Sequence, residues 1–242
     1  MTIPFAAGRL TARIAETGAD LVACQRLRHR CFFQSEGVDR DRFDAKCSHL
    51  MVFDQTGALV ATARVLFLGS GNRIAESYAA QHYDLSGLAG QCAPMVEVGR
   101  FCIAPKVQDA DVLRLAWAVL THLVDDAGAE VLFGCTSFQG IDPAPYGKGF
   151  ARLLAQHQGP CAKRPGVGAG EVVAFAGQPD TGSAPLPPLL RTYLAMGGWV
   201  GDHAVVDRAM NTLHVFTCIE LAAVPPGRAR ALRALAQGVV VA

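Results

Sequence analysis

The chain has 242 residues, 51% of them hydrophobic and 18% charged, with 22 basic against 21 acidic side chains and a formal net charge of +1. This composition excludes a disordered chain, and at about 100–200 residues per domain the length suits one large domain or two small ones. The near-neutral balance excludes nucleic acid as a partner, because such binding is mostly phosphate neutralisation by Lys and Arg; an anionic partner must meet a local basic patch.

The opening MTIPFAAGRLTARIAET lacks a charged segment followed by an apolar one, so no secretory signal is expected. No apolar run approaches the roughly 20 residues of a spanning helix. Together these predict a cytoplasmic protein. Thr11–Thr17 reads as a short strand, and Asp20 as the N-cap of a helix reaching about Phe33. The polar stretch Ser35–Ser48 has almost no period and reads as a loop. His49–Phe53 and Ala58–Leu68, joined by Asp54-Gln55-Thr56-Gly57, predict a hairpin. Residues 69–95 carry one short helical piece around Ala75–His82, and a strand follows over 96–105.

Asp109 or Asp111 can cap the next helix, whose Leu113, Trp117, Leu120 and Val124 share a face and which Gly128 stops. Glu130–Phe138 is a buried strand, Gly149–His157 a short helix, and 159–188 a Gly- and Pro-rich excursion or weakly ordered loop with one strand-like run at Glu171–Ala176. Leu189–Met196 is helical, Leu213–Glu220 is the last strand, and the tail 225–238 sets Arg on one side and Leu/Ala on the other. The order predicts one mixed α/β domain.

Eight cysteines without a C-x-x-C pair, scattered among apolar residues, read as buried thiols of a reducing compartment, and no metal site is expected. There is no P-loop, no G-x-S-x-G, no H-E-x-x-H and no G-x-G-x-x-G after a strand, which removes the nucleotide-hydrolysing, serine-hydrolase and zinc-protease classes. The acidic loop bearing Asp39, Asp41 and Asp44 lacks the ligand pattern of a calcium loop.

What remains is a charge placement inside a core-like strand, Glu97 and Arg100 in M-V-E-V-G-R-F-C-I-A-P. Two readings stand side by side: a structural ion pair or water-facing edge strand, and a functional pair. Residues three apart on a regular strand face opposite sides, so the second reading requires a bulge, for which Gly99 is the expected site. Arg28 and Phe32 share one face of the first helix, and Arg64 lies in the hairpin.

The ordered set R-x-x-x-F (Arg28, Phe32), D-x-x-D (Asp41, Asp44), A-R-V-L (Arg64) and E-V-G-R-F (Glu97, Arg100, Phe101) resembles the carrier-protein-dependent N-acyltransferases of the GNAT superfold over residues 20–140. That group holds the autoinducer (acyl-homoserine-lactone) synthases and the ornithine N-acyltransferases of ornithine-lipid synthesis. The segments D-A-K-C-S-H-L-M-V-F-D (44–54), L-L-R-T-Y-L-A-M-G-G-W-V (189–200), D-H-A-V-V-D (202–207) and T-L-H-V-F-T (212–217) look like the ornithine branch, also described as hemolysin-like, and extend the likeness over about four-fifths of the chain.

The resemblance implies a GNAT-like α/β fold with a splayed central strand in a single domain over 1–242: a core at about 11–158, the excursion at 159–188, and a C-terminal part at 189–242. It implies transfer of a 3-hydroxylated fatty acyl group from acyl carrier protein to the α-amine of L-ornithine, giving lyso-ornithine lipid. The phosphopantetheine thioester is a co-substrate, with no resident cofactor. A-P-K-V-Q-D-A-D-V-L (104–113) stands where coenzyme A-dependent relatives carry a glycine-rich pyrophosphate loop. Expected roles are Glu97 as base with Arg100 beside it. Arg28, Phe32, Asp41, Asp44, Arg64, Phe101, Cys102 and Ile103 are expected around the substrates, with Cys102 also readable as plain core. Lys106, Arg114, Lys148 and Arg152 are the expected basic patch for the carrier. Tyr146 is either the acid for the leaving thiolate or a plain loop tyrosine. The Arg-lined tail points to contact with the inner membrane. The alternatives are an acyl-homoserine-lactone synthase and a non-catalytic acyl-carrier-binding module.

Overall fold

A computed structural model describes residues 5–107, 109–168, 170–179 and 181–239. In chain order the elements are β1 (Phe5–Ala7), β2 (Leu10–Ile14), α1 (Gly18–Phe33), β3 (Ser48–Phe53), β4 (Leu59–Leu68), β5 (Tyr83–Asp84), α2 (Ser86–Ala89), β6 (Met95–Ile103), α3 (Ala110–Asp126), β7 (Val131–Gln139), α4 (Gly147–Gln156), β8 (Gly166–Val167), β9 (Val172–Ala174), α5 (Pro188–Ala195), β10 (Trp199–Asp207), β11 (Thr212–Glu220) and α6 (Pro226–Val239). Single 3-10 turns lie between some of them. The protein is mixed α/β, as expected. Its contacts divide it into two compact units: residues 1–67, 98–128 and 226–242, and residues 68–97 and 129–225.

In the first unit β1, β2, β3 and β4 form an antiparallel meander, and the Ala104 N–H donates to the Val60 carbonyl at 2.8 Å where the end of β6 runs beside β4. α1 opens on a capping box. Thr17 is the N-cap, its hydroxyl accepting the Asp20 N–H at 3.1 Å, while the Asp20 carboxylate accepts the Thr17 N–H and a bidentate bond from Arg13. Asp20 is thus the third helical residue, not the cap. α3 is capped by Asp109, buries Val112, Leu115, Trp117, Val119, Leu120 and Val124, and is followed by Gly128 at φ 56°. α6 packs along α3, with Arg233 bidentate to Asp125 at 3.0 Å. That arginine, part of the stripe the sequence assigns to a membrane surface, is paired with Asp125 and remains exposed.

In the second unit β7 pairs antiparallel with β11 over its whole length, β11 with β10, and β10 with β9, while Met95–Glu97 of β6 pair in parallel with Val131–Phe133. The excursion is ordered by apolar anchors. Phe175 stacks on Phe150 of α4 with centroids 4.8 Å apart, and both join a core with Phe138, Leu153, Leu190, Val200 and Val215. Gly147 lets the backbone at Pro179 and Thr181 approach α4 so closely that a Cβ there would lie 2.0 Å from a carbonyl oxygen.

Strand β10 was not expected. Its register shifts between Val200 and Ala204, so Gly201 and Asp202 interrupt the alternation that marks a strand. The cysteines are free thiols, but Cys92 and Cys161 are exposed, contrary to their reading as buried.

Candidate functional site

The first unit holds a buried ion network drawn from four places in the chain. Arg28, on the inward face of α1 and only 1% exposed, donates through Nε to Asp39 Oδ2 at 2.8 Å and through Nη2 to the Asp39 carbonyl. It also donates to both oxygens of Asp44, at 2.8 and 3.0 Å. Arg64, from β4, donates through Nη1 to Asp41 Oδ1 at 2.6 Å and to Asp44 Oδ1 at 3.3 Å. Arg100, from β6, donates through Nε to Asp39 Oδ2 at 3.1 Å, and its Nη2 stands 3.6 Å from Asp41 Oδ2. Gln25 completes the Asp44 shell at 2.9 Å. Phe43 lies under the Arg64 guanidinium, and Phe32 near that of Arg100.

Three arginines face three aspartates, so the cluster neutralises itself, as buried charge requires. Burial opposes ionisation of Asp44, but the hydrogen bonds and charge of Arg28, with the Gln25 bond, outweigh it and hold this carboxyl well below the usual range. Asp41 follows the same balance: burial raises it, and the Arg64 bond and charge prevail to lower it. His49 donates from Nε2 to the Asp44 carbonyl at 3.0 Å, and burial pushes its pKa down despite that bond.

The network ends at two partly exposed side chains, Arg100 (14%) and Asp41 (23%). Asp41 Oδ2 is buried and, among the described residues, accepts no hydrogen bond. Beside Gly99, the expected bulge site, it is Arg100 that takes the left-handed conformation, at φ 51°. That conformation costs a non-glycine residue about 1–2 kcal/mol, and the ion pairs to Asp39 and Asp41 offset it by fixing the side chain.

The remaining expected residues divide. Phe101 and Ile103 are partly buried on β6, and Cys102 is 7% exposed. The Cys31 thiol of α1 donates to the Ile103 carbonyl at 3.5 Å, and its interaction with Cys102, together with burial, pushes the Cys102 thiol up while that of Cys31 is lowered. Glu97 belongs to the second unit. It is 5% exposed, with Oε2 accepting the Tyr78 N–H at 2.8 Å and Oε1 the Ala79 N–H at 2.7 Å. Tyr146 donates its hydroxyl to the Gln139 carbonyl at 2.7 Å. Lys106 and Arg114 are exposed in the first unit, Lys148 and Arg152 in the second, and Arg114 pairs with Asp111 at 3.2 Å. Asp39, Gln25 and His49 were missed as site residues; the alternation D-R-D-R at 39–42 was the available signal for Asp39.

Residues 20–118, which contain every member of the ion network, match the Acetyltransferase (GNAT) domain family. With the mixed α/β architecture, this defines an N-acyltransferase of GNAT-like fold. Over 88% of its length the chain is 28% identical to the L-ornithine N(alpha)-acyltransferase of Brucella abortus (strain 2308), covering 85% of that protein. Over 86% it is 29% identical to the L-ornithine N(alpha)-acyltransferase of Rhodobacter capsulatus, covering 88% of it. The chain is also similar to the solved N-acyl amino acid synthase FeeM from uncultured soil microbes, at 14% identity over 96% of this chain and 98% of that one, with a TM-score of 0.48.

Proposed function

We propose that this protein transfers a fatty acyl group from acyl carrier protein to the α-amine of L-ornithine, with the first unit's ion network forming the amino-acid subsite. The observation that carries the reading is the loose pair at the network's exposed end. Arg100 and Asp41 stand 3.6 Å apart, too far for a hydrogen bond, and Asp41 keeps a buried oxygen without a donor. An amino acid brings a carboxylate that matches the guanidinium and ammonium groups that match the carboxylate. Arg28 is committed to Asp39 and Asp44, and Arg64 reaches Asp41 and Asp44 through Nη1, so their role is to hold that pair in place. This narrows the sequence expectation, in which any of the three arginines was free to bind the carboxylate.

The α-ammonium must lose a proton before nitrogen attacks the thioester carbonyl. Glu97 is the proposed base. Its Oε2 and Oε1 accept the Tyr78 and Ala79 N–H groups, bonds that fix the orientation of the carboxylate. The new amide bond forms as the carbonyl–sulfur bond breaks, and the pantetheine thiol leaves. Cys102 takes no part; its thiol is shifted away from the nucleophilic form.

A carrier-bound donor is favoured over coenzyme A by the start of α3. The Asp109 carboxylate accepts the Asp111 N–H at 2.8 Å, so two exposed acids stand where a pyrophosphate needs free N–H donors. No helix among the described residues is long and apolar enough to cross a membrane.

The test is thiol release from 3-hydroxyacyl carrier protein in the presence of L-ornithine or of S-adenosylmethionine, with the acylated product read by mass spectrometry. Release with ornithine alone is expected. Release with S-adenosylmethionine alone would make the protein an acyl-homoserine-lactone synthase, and binding without release under either condition a carrier-binding module.

A further inference from the structure

The segment Val38–Asp44, V-D-R-D-R-F-D, is close to neutral by composition but not by position. Asp39 and Asp44 are buried against Arg28, and Asp41 turns inward to Arg64. Between them Arg40 and Arg42 are exposed. The loop therefore separates its charges, acids inward and cations outward.

Its outer surface continues onto α1. The Asp39 N–H donates to the Gln25 carbonyl at 3.1 Å, which ties the loop along the helix. His29 receives the loop from the other side: its Nδ1 lies 2.9 Å from the Ser35 carbonyl, and a Cβ at Gly37 would sit 2.5 Å from its ring. The Phe33 ring packs on the other edge of His29, at 4.8 Å between centroids. Phe33 (39% exposed) and Val38 (45% exposed) lie on either side of this junction of helix and loop. Arg26, two turns before Phe33 on α1, and Arg40, Arg42 and Lys46, in the same loop as Val38, are all exposed, with Arg30 partly so. The acid among them is Glu36, 3.8 Å from Arg30.

We propose that this face, the outer side of loop 34–46 with the adjoining stripe of α1, is where the acyl carrier protein docks. The inference rests on the carrier-dependent reading above. It moves the contact away from Lys106, Arg114, Lys148 and Arg152. An acidic protein surface carrying an apolar cargo fits exposed cations and exposed apolar side chains carried by one loop and its adjoining helix, and such charge matching sets encounter rate and orientation more than contact area does. The same loop supplies Asp41, so the carrier would arrive on the outside of the segment whose inside closes the amino-acid subsite. A bilayer is the weaker occupant, because Phe33 and Val38 are each more than half covered and offer little to insert.

The test compares two donors, 3-hydroxyacyl carrier protein and the same acyl group on pantetheine. The variant is Arg26→Glu with Arg40→Glu; Arg42 is left alone because its guanidinium lies over Phe43. The expected result is a KM for the carrier donor at least about tenfold higher, a tenfold change corresponding to about 1.4 kcal/mol. With acyl-pantetheine, kcat/KM should change less than twofold. Lys148→Glu with Arg152→Glu should leave both donors within twofold. Val38→Ser repeats the carrier-specific effect without altering charge, and covers the event that the double reversal disturbs folding.

An unchanged carrier KM, an equal loss with both donors, or vesicles of anionic phospholipid competing for the same arginines would each overturn the proposal. Binding of unloaded carrier, followed by fluorescence anisotropy at low and high salt, separates the two claims. Salt-sensitive binding lost in Arg26→Glu/Arg40→Glu without ornithine acylation would keep the docking face and remove the proposed reaction.

Discussion

Asp44→Asn tests the buried network most directly, because it keeps the side chain's shape and removes its charge. Oδ1 of Asp44 accepts from Arg28 at 2.8 Å and from Arg64 at 3.3 Å. Oδ2 accepts from Arg28 at 3.0 Å, Gln25 at 2.9 Å and the Asp41 N–H at 3.2 Å. Whichever way an asparagine amide turns, its NH2 group faces donors instead of meeting them as an acceptor. Breaking a buried ion pair from one side costs about 3–5 kcal/mol. Arg28 keeps Asp39, which places the expected loss at the low end, about 3 kcal/mol. At about 2–4 °C per kcal/mol for a chain of this size, the Tm at pH 7.5 should fall by about 6–12 °C.

The sign with pH follows from the depressed Asp44 carboxyl. Its contribution is complete above the unfolded value near pH 4 and is lost as pH falls through the lower folded value, since the unfolded chain then binds the extra proton. The gap between wild type and Asp44→Asn should therefore narrow between pH 7.5 and pH 3.5, read by thermal unfolding in matched buffers. A Tm shift under about 2 °C at pH 7.5, or a gap that does not narrow, would refute the claim that this network holds the loop.

Glu97→Gln should lower kcat by about 100-fold or more, the contribution expected of a positioned base, while binding of the acyl carrier protein persists; wild-type turnover in this variant would leave Glu97 as an anchor for the Tyr78 and Ala79 amides. Burial depresses the His49 pKa, so its contribution to stability is full above about pH 6.5 and declines as pH falls below that value. His49→Gln should flatten the corresponding loss of Tm between pH 7 and pH 5, and an unaltered slope would sink the assignment. Phe150→Ala, which opens the contact with Phe175 and Phe138, should cost about 3–5 kcal/mol in a urea titration and raise protease cleavage within 170–179.

How much was legible in the sequence depended on how local each signal was. The limits of α3 were readable because the Asp109 cap, the apolar stripe and Gly128 lie within one helix. The start of α1 was read three residues late, since Asp20 suits either the cap or the third position of a capping box and only its bonds to Thr17 and Arg13 decide. β10 escaped because its bulge breaks the period. The site shows the same limit in sharper form. Asp39 and Arg40 are neighbours of equal polarity, yet one is buried and the other exposed. What separates them is the convergence of guanidiniums from α1, β4 and β6, three elements spread over more than seventy positions of the chain. Residue type announces that the charges must find partners; only the fold decides which side of the loop is neutralised and which is left to meet something else.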